Sequence, residues 1–87
     1  MELAQLEQFL MIEKSRSMRL AAEKLFLSQP SLSLNLKKLE DELDCKLFTR
    51  SNNQLILNDY GKIMLEYSER VIAEIQSAKR AIEEEKE

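Results

Sequence analysis

Histidine and tryptophan are missing from these 87 residues, and glycine, proline and cysteine occur once each. Without histidine the usual general base near neutral pH is gone, and so are most transition-metal sites. Cys45, the single cysteine, can form no internal disulfide and has no histidine partners for a zinc site; it reads as a small buried hydrophobe. There is no glycine-rich loop and no nucleophile–base pair. Enzymatic activity, a metal or a cofactor is therefore not expected. No apolar run reaches membrane-spanning length, and the N-terminus MELAQLEQFL lacks a basic leader region. A soluble, cytoplasmic protein is expected. The scarcity of glycine and proline leaves little material for loops. Leu, Glu, Lys, Ala, Met and Gln dominate instead, so the chain is expected to be mostly helical.

The formal net charge is −3, but the charge is unevenly spread. Between residues 14 and 38, Lys14, Arg16, Arg19, Lys24, Lys37 and Lys38 stand against Glu23 alone. The C-terminus is acidic, with Glu83, Glu84, Glu85 and Glu87. A basic middle with an acidic tail fits a local anion-binding surface. Taken alone, it reads more simply as scattered, solvated surface charge.

Leu3, Leu6, Phe9, Leu10 and Met11 form a helical stripe over residues 2–14. Ser17 suits an N-cap for a second helix, MRLAAEKL, that buries Met18, Ala21, Ala22 and Leu25. Phe26 and Leu27 make a short connection to Ser28, the next cap, with Pro30 just inside the helix start. SLSLNL (31–36) alternates like a strand. Leu32, Leu36, Leu39 and Leu43, however, are spaced 4-3-4, as on one helix face, and the proline agrees. The third helix then ends at Asp44, a residue that tolerates the left-handed conformation. KLFTR (46–50) and QLILN (54–58), joined by Ser51-Asn52-Asn53, read as a β-hairpin. Asn58 caps a last helix reaching about Glu85. Its Met64, Ser68, Val71, Ile75, Ala78 and Ile82 fall at the heptad spacing of a seam, and Ser68, Val71, Ile72, Ile75, Ala78 and Ile82 are expected to meet a second copy of the chain. Met64 and Leu65 are expected to cover their own domain. Tyr60 and Tyr67 suit either the first helix or the seam.

The order is helix, tight turn, helix, hairpin wing, long helix. The fold expected is mostly α: a winged helix-turn-helix with a three-helix core (residues 1–57), followed by a long dimerisation helix (residues 58–87). Gln29, Pro30, Ser33, Leu34 and Lys37 fall opposite the leucine stripe of the third helix. Glutamine pairs bidentately with adenine, leucine and proline meet a thymine methyl, and Lys37 and Lys38 meet phosphates. Double-stranded DNA is the partner this composition suits. A winged helix can also serve as a protein-docking module, but that role does not need Gln29-Pro30 rimmed by Lys37 and Lys38.

SQPSLS (28–33), the Leu39-Glu40 pair, LFTR (47–50) and LNDYG (57–61), with Ser17, Ala21, Ala22 and Leu25 upstream, resemble the N-terminal DNA-binding domain of LysR-type transcriptional regulators. The resemblance runs over nearly the whole chain without gaps. It implies major-groove contact by Gln29, Pro30 and Ser33, with Leu34 and Asn35 helping to set sequence preference. It implies approach of Arg50 and the wing tip, including Asn53, to the backbone or minor groove. Ser17 and Ser28, at the two caps, join that DNA-facing set. The family's long helix pairs with its twin, so that a homodimer reads an interrupted inverted repeat. Full regulators of this kind carry a C-terminal effector-binding domain, so the chain is expected to be the N-terminal part of a longer protein, a natural stand-alone domain being the alternative. Several positions depart from the family pattern. Leu20 and Leu34 stand where arginine is frequent, Asp44 where glycine is frequent, and Asn58 where threonine is usual. The wing tip Ser51-Asn52-Asn53-Gln54 carries no charge. Weaker non-specific DNA binding than in a typical member is expected.

Overall fold

The computed structural model describes residues 1–87. Helices α1 (Leu3–Ser15), α2 (Met18–Leu25) and α3 (Gln29–Leu43) precede strands β1 (Phe48–Ser51) and β2 (Gln54–Leu57), and α4 (Asp59–Glu85) closes the chain. The winged helix-turn-helix with a trailing long helix is the architecture observed. No helix is long and apolar enough to cross a membrane.

Ile12, Ala21, Ala22 and Leu32 bury where the first three helices meet, and Phe9, Leu39 and Leu47 bury beneath the wing and α4. Alanine at positions 21 and 22 brings α2 close to its neighbours. The expected α1 stripe needs correction: Ile12 is wholly buried, whereas Leu3 is 39% exposed. Phe9, Leu10, Met11 and Ile12 are four consecutive apolar residues, so periodicity alone could not phase the helix.

Each helix start is closed as its sequence suggests. The Ser17 hydroxyl accepts from the Leu20 N–H at 3.2 Å, and Ser28 accepts from the Ser31 N–H at 3.2 Å. Asn58 accepts from the Gly61 N–H at 2.8 Å and donates its amide N–H to the Lys46 carbonyl at 2.8 Å. The amide side chain thus caps α4 with its oxygen and ties the helix start to the end of the α3–β1 connection with its nitrogen. Helix ends are less conventional. With Gly61 the sole glycine, Arg16, Phe26 and Asp44 adopt left-handed φ values of 57°, 57° and 55°.

The wing is a two-residue hairpin. Ser51 pairs with Gln54, leaving Asn52 and Asn53 as the loop at φ 51° and 62°. Both central residues at positive φ match the type I′ twist that suits a hairpin. Ser51, expected in the turn, is the last residue of β1. The wing root is anchored at two levels. The Leu55 N–H donates to the Arg16 carbonyl at 3.0 Å, and Phe48 packs its ring 5.4 Å from that of Phe9. Buried Glu40 accepts the Leu47 N–H at 2.8 Å, with the Lys46 ammonium 3.7 Å away. A buried carboxylate needs such partners to offset its lost hydration.

Candidate nucleic-acid interface

Helix α3 separates its residues cleanly. Leu32 and Leu39 are fully buried, and Leu36 and Leu43 are half-buried beside them. Half a turn away run Pro30, Leu34, Lys37 and Asp41, all exposed and spaced 4-3-4. Leu34 is 52% exposed, so the helical reading of SLSLNL stands and this leucine does face solvent. Gln29 and Ser33 flank the ridge on one side and Lys38 on the other, all exposed. The ridge is a convex, narrow surface made of a proline, a leucine and a lysine, with two hydrogen-bonding side chains at its edge. A helix with such a face fits a DNA major groove.

Two cations near this face are already paired within their helices. Lys37 reaches Asp41 at 2.8 Å, and Arg19 reaches Glu23 at 2.9 Å. The Asp41 carboxylate, by hydrogen bond and charge, raises the Lys37 ammonium above its ordinary pKa, so Lys37 stays charged at any physiological pH. Arg16, Lys24, Lys38 and Arg50 make no ion pair in the chain and are exposed. Arg50 pairs with neither Glu40 nor Asp41; those carboxylates serve Leu47, Lys46 and Lys37. Asn53 is exposed at the wing tip.

Three expected site residues already hold hydrogen bonds within the chain. Asn35 is half-buried and donates its amide to Gln8 Oε1 on α1 at 3.0 Å, so it faces the protein more than the open ridge. Ser17 and Ser28 are occupied as caps, and the Ser28 hydroxyl also donates to the Ser31 hydroxyl at 2.8 Å. Residues that sequence reasoning passed over include Asp41 on the ridge and Gln8 beneath Asn35. The i,i+4 spacing of Lys37 and Asp41 was the available signal.

The apolar residues of α4 fall on two faces. Ser68, expected on the seam, is completely buried against its own protomer, and its hydroxyl finds no partner there. Ile72 and Ile75 are half-buried and line a shallow groove with Leu3 and Glu7 of α1. The N-terminal part of α1 thus lies against this face of α4. A second stripe is open: Tyr60, Ile63, Tyr67, Val71, Ala78 and Ile82. Arg70 lies over the Tyr67 ring at 5.1 Å on its border.

Residues 3–62 match the profile of the bacterial regulatory helix-turn-helix proteins of the lysR family. The chain belongs to that family. Among its relatives, the uncharacterized HTH-type transcriptional regulator YxjO of Bacillus subtilis is 40% identical over 82 residues, 94% of this chain and 28% of its own length. The chain thus spans little more than a quarter of that lysR-family relative. The crystal structure of the BenM DBD/benA site 1 DNA complex superposes with a TM-score of 0.91 at 26% identity, covering 97% of this chain and 98% of that one. The CbnR DBD–DNA complex superposes at 0.84 with 30% identity, covering 93% and 94%. Both are complexes of a DBD of about this size with DNA.

Proposed function

We propose that this chain is the sequence-specific DNA-reading part of a transcriptional regulator, working as a homodimer. Residues 1–57 read one half of an interrupted inverted repeat, and residues 58–87 join two copies. Helix α3 lies in the major groove, with Gln29, Pro30, Ser33 and Leu34 toward base edges and Lys37 and Lys38 toward phosphates. The wing, through Arg50 and Asn53, lies on the backbone or minor groove. It is a binding protein of the cytoplasm, with no catalytic step, and the winged-helix docking role is the less favoured one. The observation that carries this reading is the exposed ridge Pro30–Leu34–Lys37 set opposite the buried leucines. The likeness to two protein–DNA complexes supports it.

The open stripe of α4 is the surface for the second copy. Paired antiparallel, the acidic end Glu83–Glu87 of one copy lies beside the positive N-terminal end of the other α4, near Lys62. Paired parallel, the two glutamate runs would face each other. The antiparallel arrangement is the lower in energy on charge alone.

Leu34 provides the test of the groove assignment. An exposed leucine meets a thymine methyl and cannot bind guanine as arginine does. Leu34→Ala is expected to leave the thermal midpoint nearly unchanged, because about half the side chain is already in water. Selected-site sequencing is expected to show weakened A/T preference at one or two positions per half-site, by roughly 1 kcal/mol or less. Leu34→Arg is expected to bind all DNA more tightly and to shift that position toward guanine. Large destabilisation by Leu34→Ala with an unchanged site profile would place the leucine in the core and refute the assignment.

A further inference from the structure

Phe26 breaks two local rules at once. Its φ of 57° lies in the left-handed region, where a side chain is crowded and glycine is the usual occupant. Its ring is 95% exposed, so packing offsets neither that strain nor its contact with water. The conformation is held by the backbone. The Phe26 N–H donates to the Glu23 carbonyl at 3.2 Å, and the Leu27 N–H donates to the Ala22 carbonyl at 2.9 Å. These two bonds close the end of α2 and would hold with glycine or asparagine in this place. Nothing in the fold of the single chain calls for an aromatic ring here.

Its position does suggest a use. Phe26 lies two residues before Ser28, the cap from which α3 starts. Leu25 and Leu27 on either side turn inward and are half-buried, whereas Lys24, Ser28 and Gln29 are exposed. Along the chain, the exposed neighbours of the ring are therefore polar or basic. A protein partner would want contiguous apolar surface around it. A nucleic-acid backbone offers the opposite mixture: apolar deoxyribose C–H faces between phosphates. The unpaired Lys24 and the free first-turn N–H of Gln29 are suited to those phosphates.

We propose that Phe26 is a backbone-positioning residue, its ring packing on the deoxyribose of the strand flanking the groove that α3 enters. The inference rests on the groove reading above and adds a contact to it. Such a contact carries no base information and neutralises no charge. Its loss should weaken all DNA equally and leave the salt dependence alone.

The test uses Phe26→Asn, which tolerates the left-handed backbone, and Phe26→Leu, which keeps an apolar side chain. Anisotropy titrations with a selected inverted repeat and an unrelated duplex, over a salt series, are read beside thermal unfolding and sedimentation. Phe26→Asn is expected to unfold no earlier than wild type and to remain a dimer. Its affinity for both duplexes is expected to fall by one common factor, roughly tenfold for partial burial of one ring face. The log–log salt slope should not move, and Phe26→Leu should recover most of the loss. Unaltered affinity in Phe26→Asn, beside normal wild-type binding, overturns this inference and leaves the groove reading intact. A shift of Phe26→Asn toward monomer overturns it too, by placing the ring between copies. Wild-type protein that binds neither duplex defeats the groove reading itself.

Discussion

Gly61→Ala is expected to lose at least about 3 kcal/mol of stability, a fall of roughly 12–24 °C in thermal midpoint for a domain of this size. A Cβ at this position would stand 2.1 Å from the Leu47 carbonyl oxygen and 2.8 Å from Leu57 Cδ2. The first obstacle is backbone and cannot swing aside. That stretch of backbone is also fixed from other directions: Glu40 holds the Leu47 N–H, and the Asn58 N–H donates to the same carbonyl at 3.1 Å. Alanine gains up to about 1 kcal/mol of helix propensity over glycine. The clash outweighs it, because relief requires the start of α4 to lift off the wing. Thermal unfolding followed by circular dichroism measures the loss. A midpoint within a degree or two of wild type would mean that α4 sits farther from Leu47 than described.

Val71→Lys is expected to convert the proposed dimer to monomer while leaving the helical content intact. Val71 is 42% exposed on the open stripe, so a lysine there costs the single chain little. Against a second copy, its ammonium would be held among Tyr67, Ala78 and Ile82. Losing the partner turns two linked half-site contacts into one, and apparent affinity for an inverted repeat falls by roughly 10²–10⁴. Binding to an isolated half-site should be nearly unchanged. Ile75 is a poorer choice for this experiment, since it is half-buried beside Leu3 and a charge there would also disturb the fold. Sedimentation velocity gives the answer directly. A Val71→Lys variant that still sediments as a dimer would move the interface off this stripe.

Much of the architecture was legible because short-range chemistry dictates it. Ser17, Ser28 and Asn58 accept first-turn N–H groups as capping residues do, and the 4-3-4 leucines of α3 outvoted a strand-like alternation of six residues. The hairpin was announced by paired asparagines that accept positive φ. What stayed hidden depended on neighbours far along the chain. Which side of α1 is buried was masked by its run of four apolar residues. Ser68 and Ile75 keep the heptad spacing of a seam, yet Ser68 is buried within the single chain and Ile75 is half-buried in a groove shared with Leu3 of α1, and no periodicity in α4 records where α1 lies. The left-handed ends at Arg16 and Phe26 were equally hidden, because neither residue type advertises that conformation. On the site, the outward ridge of α3 was readable from helix geometry. The turn of Asn35 toward Gln8 and the pairing of Lys37 with Asp41 emerged only from side-chain positions.

The pairing of Lys37 and Arg19 with acids has a consequence for DNA binding. On the proposed reading, a cation already paired in this way exchanges a carboxylate for a phosphate on binding and adds less to affinity than a free one. Arg16, Lys24, Lys38 and Arg50 are exposed and make no ion pair, so the proposed DNA reading draws its long-range attraction from them. A modest non-specific affinity leaves the Gln29–Pro30–Leu34 surface a larger share of discrimination.

The most direct measurement is the affinity of the dimer for a selected inverted repeat between 50 and 200 mM salt, with an unrelated duplex beside it. Six to ten phosphates neutralised by two copies give a loss of roughly 10³–10⁵ across that range, with the selected sequence preferred throughout. A flat salt response, or equal binding to both duplexes at every salt concentration, would contradict DNA reading by this surface.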